Sequence, residues 1–169
     1  MVREKDAEEK TWALIFPYLE QATPEQWHLY AAKSDFDYNA LGLQWLIDNP
    51  QLDEATARML FWNMGAGFLA QYASLEEVPQ GEKDDYQTVR ILEERILNGF
   101  YQPPRIWYDP HDNDMVNMHD YADIPAKRAI PAELSQKVGE VLVQLKDPSG
   151  YEDGLPEALC RQIMVLFNE

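Results

Sequence analysis

Seven side chains able to bind a cation or move a proton fall within one short stretch: Asp109, His111, Asp112, Asp114, His119, Asp120 and Asp123. Carboxylates and imidazoles together are the donor set of a divalent metal, and no Lys or Arg among residues 109–123 competes for them. Their spacing fits no defined site. A calcium loop needs Gly at its sixth position and Glu at its twelfth, and a zinc-hydrolase helix needs His-Glu-x-x-His. A polar loop has the same composition, so a loop without metal or cofactor is the expectation. A metal-assisted hydrolase using His111, His119 and the neighbouring Asp residues is the alternative. Trp107 and Tyr108 stand directly before this stretch, and an aromatic pair beside carboxylates suits a surface for a basic protein. The same two rings would equally serve to cover the core beneath the loop. The candidate partner-binding set is therefore Trp107, Tyr108, Asp109, Asp112, Asp114, Asp120 and Asp123.

Other chemistry finds less support. Gly-x-Ser-x-Gly, a phosphate-cradling glycine loop and Ser-x-x-Lys are all missing from the sequence. The single cysteine, Cys160, has no readable His–Asp or His–Asn arrangement around it and reads as a small apolar residue on a helix flank. His28, between Trp27 and Tyr30, reads as a packed helix residue. No catalytic residue is assigned.

Helices must position these groups. Thr11, Leu14, Ile15, Tyr18 and Leu19 form one stripe, which predicts a helix over about 4–20, bent near Pro17. Thr23-Pro24-Glu25-Gln26 sets a hydroxyl at the N-cap, Pro at the first helical position and Gln at the third, a capping box for a second helix ending near Lys33. Tyr38, Leu41 and Trp45, widened by Leu43, Leu46 and Ile47, predict a third, stopped at Asp48-Asn49-Pro50. Asp53 is a suitable N-cap for a fourth carrying Leu52, Ala55, Met59 and Trp62, apolar on its other side too and hence the most buried. Gly65 and Gly67 break it or let another element approach closely, and a short apolar piece follows to Leu75.

Residues 76–85 contain Pro79, Gly81 and five acids, the pattern of an exposed linker and the one internal boundary the sequence suggests. Asp84 or Asp85 then caps a helix of Val89, Leu92, Ile96 and Phe100, closed by Asn98-Gly99. Residues 101–130 hold four prolines and little helical periodicity. A short strand at 105–108, paired near 127–130, is the most order they suggest. After Pro131, Leu134, Val138, Val141, Leu142 and Leu145 predict an amphipathic helix stopped at Asp147-Pro148-Ser149-Gly150. Leu155, Leu159, Ile163 and Leu166 predict a last one. The fold class is all-α: a single domain, 1–169, of about seven helices with an irregular or two-stranded excursion at 101–130.

Charge limits the partners. The 169 residues include 30 Asp plus Glu against 14 Lys plus Arg, a net of −16, and 46% are hydrophobic, enough for an ordinary core. Residues 1–50 carry 4 basic and 9 acidic side chains, 51–100 again 4 and 9, and 101–169 carry 6 and 12, so no acidic tail accounts for the excess. A phosphate backbone or an anionic membrane would be repelled, which argues against nucleic acid and membrane partners. With charges in place of an apolar leader at the start and one cysteine, the chain reads as cytoplasmic.

The stretches Trp27-His28-Leu29-Tyr30-Ala31-Ala32 and Trp45-Leu46-Ile47-Asp48-Asn49-Pro50, with Asp53, Thr56-Ala57 and Phe61-Trp62, resemble the bacterial domain-of-unknown-function family 4274 over about residues 24–73. The resemblance implies a small helical bacterial protein with no known cofactor, and supplies no catalytic residues. By analogy, small acidic proteins of this kind cover basic enzymes as immunity or antitoxin partners. The expectation is a non-catalytic, acidic protein-binding module with a basic partner. A self-assembling structural module is a further alternative, and the sequence leaves the oligomeric state open.

Overall fold

The computed structural model describes residues 2–168. It is mostly helical: α1 (Val2–Gln21), α2 (Pro24–Lys33), α3 (Ala40–Ile47), α4 (Glu54–Asn63), α5 (Ala66–Leu69), α6 (Lys83–Leu97) and α7 (Glu157–Asn168), with one two-stranded antiparallel sheet of β1 (Tyr151–Glu152) and β2 (Leu155–Pro156). The chain forms two compact units. One comprises the residues up to Asn49 together with those from Val143 onward, and the other comprises Pro50–Leu142. The acidic stretch at 76–85 lies inside the second unit, where it makes two 3-10 turns, Leu75–Glu77 and Gln80–Glu82, before entering α6.

In the first unit α1 packs on α3 and α7. The capping box at the start of α2 forms as the sequence predicts. Thr23 Oγ1 accepts from the Gln26 N–H at 3.2 Å, and Gln26 Oε1 accepts from the Thr23 N–H at 2.9 Å. An aromatic chain joins three helices: Trp12 to Phe16 at 5.2 Å, Phe16 to Trp45 at 6.1 Å, and Trp45 to Trp27 at 5.8 Å, the last two edge-to-face. Trp27 Nε1–H also donates to the Leu19 carbonyl at 2.8 Å, so the indole satisfies its one polar atom while its ring packs. α3 buries Leu43, Leu46 and Ile47, whereas Tyr38 and Leu41, expected on that face, are exposed. Tyr38 precedes the first turn of α3 and so escapes the helical spacing that placed it there.

The hairpin was not anticipated from the sequence. Asp153 and Gly154 both have positive φ, at 50° and 81°, which gives the two-residue turn that matches strand twist, and Asp-Gly is the dipeptide that suits it. Gly154 also lies against α2, where an added Cβ would stand 3.0 Å from the Leu29 carbonyl oxygen. Leu155, assigned to the last helix, belongs to β2; α7 starts two residues later.

In the second unit α4 packs on α5 and α6 and is buried at every position except Glu54. Asp53 caps it, accepting from the Ala55 N–H at 2.9 Å. α6 ends in a Schellman closure: the Gly99 N–H reaches the Ile96 carbonyl and the Phe100 N–H the Arg95 carbonyl, with Gly99 at φ 71°. The Arg95 guanidinium covers the Phe100 ring across this closure, 4.7 Å from its centre. Buried Glu93 is paired with Arg90 on the same helix and with Arg128 at 3.5 Å, tying α6 to the segment beyond the acidic loop.

The amphipathic helix expected over 134–145 does not form. Ala132–Ser135 is a single 3-10 turn, and the chain then runs extended beside 105–108. Tyr108 and Val138 exchange both backbone hydrogen bonds at 3.0 and 2.9 Å, and the Trp107 N–H donates to the Val141 carbonyl at 2.8 Å. The strand expected at 105–108 thus pairs with 138–141 and not with 127–130, whose Lys127 and Arg128 amides instead donate to the Ala70 carbonyl. Gly139 explains the difference. It has φ 69°, and a Cβ there would lie 1.9 Å from the Ile106 carbonyl oxygen, so this close backbone approach depends on glycine. Leu142, placed on the apolar stripe by helical spacing, is 76% exposed.

Candidate functional site

Asp53 fixes the entry to the acidic segment. Its Oδ1 caps α4, while Oδ2 accepts from the backbone amides of Arg105 at 2.9 Å and Ile106 at 3.2 Å. One buried carboxylate therefore sets both the start of the most buried helix and the path of the chain leading to Trp107 and Tyr108. Tyr108 is 4% exposed, with Asn113 Nδ2 3.2 Å from its hydroxyl. Burial raises its hydroxyl pKa, with the charge of Asp109 adding to the rise and the Asn113 contact opposing it, so the phenol stays protonated. It is a core residue and leaves the exposed partner surface. Trp107 is half-buried.

Loop 109–123 is built from its own short polar side chains. Asp109 Oδ1 accepts from the His111 N–H at 3.0 Å, Asn117 Oδ1 from the His119 N–H at 3.0 Å, and Asp120 Oδ2 from the Asn117 N–H at 2.8 Å. The Met118 N–H closes the loop onto the Pro110 carbonyl at 3.1 Å. Asn113 anchors it to α4, donating to Asn63 Oδ1 and to the Val116 carbonyl, each at 2.8 Å. Tyr121 packs edge-on against Phe68 of α5 at 5.6 Å.

This leaves the candidate residues in three situations. Asp112, Asp114, Asp120 and Asp123 are exposed, Asp109 is half-buried, and Tyr108 is enclosed. Asp109 and Asp120 spend an oxygen on the loop itself, whereas Asp112, Asp114 and Asp123 have no ion-pair partner among the described residues. His111 and His119 meet, Nδ1 to Nε2, at 2.8 Å. Among the described residues no three His, Cys, Asp or Glu side chains cluster closely enough to enclose a metal. Sequence reasoning missed Asn113 and Asp53 as the groups that hold this loop; an Asn amid short polar residues is the kind of signal that could have marked the first.

Outside the loop, His28 is 2% exposed and burial lowers its pKa from 6.5 to about 4, so it is a neutral packed residue. The Cys160 thiol is pushed up by burial and then by the nearby Glu152 and Asp153 charges, the reverse of what an activated nucleophile needs. An open recess of about 270 Å³ in the first unit is lined by Lys33, Asp147, Tyr151, Glu152 and Gly154 among others. No helix among the described residues is long and apolar enough to cross a membrane.

Neither the curated proteins nor the solved structures contain a match to this chain. Residues 22–97, from α2 through α6, match the model of the family described as a domain of unknown function, DUF4274, and this segment of the chain is a member of that family.

Proposed function

We propose that the chain is a non-catalytic, cytoplasmic protein-binding module that docks a basic bacterial protein on loop 109–123, in the manner of an immunity or antitoxin inhibitor. The observation that carries this reading is the trio Asp112, Asp114 and Asp123: exposed carboxylates without ion-pair partners among the described residues, on a loop pinned to α4 and α5. Three exposed like charges on a fixed loop create a local negative field. Preorganisation matters because a loop already hydrogen-bonded loses less conformational freedom when it binds. The net charge of −16 steers a basic partner from a distance, and half-buried Trp107 lies just before the acids as an apolar anchor.

The test is a capture from the source bacterium with the tagged chain at low and moderate salt, in parallel with the variant D112N/D114N/D123N. The proposal predicts one stoichiometric basic protein, retained by the parent, released by salt, and lost or strongly reduced with the variant. A stoichiometric partner held equally by both proteins would refute the loop as the docking surface. Recovery of no partner at low salt would refute the binding reading.

A further inference from the structure

His111 and His119 are the two imidazoles that docking of a basic protein leaves unused, and a cationic partner would gain nothing from them. Seven residues separate them in sequence, and the Pro110–Met118 closure brings them together. His111 Nδ1 lies 2.8 Å from His119 Nε2, with the ring centres 4.9 Å apart and the ring planes inclined at 43°. The other nitrogen of His111, Nε2, lies 3.1 Å from the Ser135 carbonyl oxygen. A carbonyl only accepts, so His111 Nε2 carries the proton and Nδ1 directs its lone pair at His119. Locking the far nitrogen of an imidazole on a backbone carbonyl is how proteins pre-set a metal-ligating histidine.

The two nitrogens stand close enough together for one cation to reach both. Two imidazole nitrogens about 2.0–2.1 Å from one cation stand about 2.9 Å apart at a right angle, and about 3.3 Å apart at the tetrahedral angle. The observed 2.8 Å is a hydrogen-bond contact that already holds the two rings side by side, so a turn of His119 is enough for both nitrogens to face one cation. Both rings are exposed, and the surrounding segment contributes carboxylates and no Lys or Arg between 109 and 123, so a cation is drawn to the loop.

We infer that His111 and His119 form a two-imidazole chelate for a divalent transition cation, with water filling the remaining positions. On binding, His119 moves its ring proton from Nε2 to Nδ1 and turns the freed Nε2 lone pair to the metal, while His111 keeps its proton on Nε2 and its bond to Ser135. The Nε2–H bond of His119 breaks as an Nδ1–H bond forms, with solvent water carrying the proton, and no electron is transferred. The metal replaces the shared proton as the bridge across the loop.

The experiment is calorimetric titration of the untagged full chain with Cu(II), Ni(II) and Zn(II) salts, with NMR of the imidazole protons under Ni(II). The expected result is one cation per chain, with Cu(II) bound more tightly than Ni(II) or Zn(II). Resonances of His111 and His119 should broaden first while those of buried His28 do not. His111→Ala and His119→Ala should each lower affinity roughly tenfold or more, an effect of the size seen when a metal site loses an orienting partner. No stoichiometric binding of Cu(II), affinity unchanged in both variants, or broadening that does not begin at these two rings would overturn the inference. No partner protein takes part, so this result is independent of whether loop 109–123 docks one.

Discussion

Asp53 shows how much one side chain can carry. Its two oxygens accept three backbone hydrogen bonds, one from α4 and two from the chain entering the candidate loop. Asp53→Ala removes a helix cap and strands the part-buried Arg105 amide and the buried Ile106 amide, which should cost about 3 kcal/mol. Urea denaturation followed by tryptophan fluorescence should show the lowered midpoint, and a loss below about 0.5 kcal/mol would contradict this role. His28 makes a prediction about pH. Its pKa is about 4 in the folded protein against 6.5 for the free side chain, so the unfolded chain takes up the proton first. Its contribution is therefore intact above pH 6.5 and lost as pH falls towards 4, a change of about 3 kcal/mol. His28→Gln should flatten that stretch of the stability–pH curve. An unchanged slope would mean that other groups govern the acid limb.

At the scale of elements, legibility followed the locality of the signal. The capping box at Thr23, the Asp53 cap and the Asn98-Gly99 stop were readable because each is decided within a few residues of itself. The segment 132–145 was not, because its fate depends on a partner some thirty residues away. Leu134, Val138, Val141 and Leu145 satisfy helical spacing, yet the chain pairs with 105–108 and leaves Leu142 in solvent. Gly139 was the legible warning, since glycine inside a helical pattern lowers helix propensity and marks close approach. Asp153-Gly154 was a similar signal for the hairpin. In the candidate site the exposed acids were legible from composition, whereas the enclosure of Tyr108 depended on the same non-local pairing. Gly139→Ala should therefore destabilise by more than about 1 kcal/mol, through both its positive φ and the contact with Ile106. Gly81→Ala, with nothing within 4 Å of the added carbon, should change little. Equal effects in parallel thermal melts would remove the special place given to Gly139.

For the whole molecule, the acids of the candidate loop and the family match fall on different parts of the chain. The DUF4274 segment, 22–97, supplies α2 to α6, while loop 109–123 lies beyond it. The matched segment contains Asp53, which holds the chain entering the loop, and Asn63, to which the loop is attached, and the acids lie beyond it. A surface of this kind affects encounter more than residence: removing three exposed charges should slow association and leave dissociation nearly unchanged. The most direct measurement is the association rate with the captured basic partner, by stopped flow, for the parent and D112N/D114N/D123N across ionic strength. The account predicts a roughly tenfold slower association for the variant at low salt, converging on the parent as screening shortens the reach of the charges. Equal rates at low salt, or a difference that persists unchanged at high salt, would contradict it.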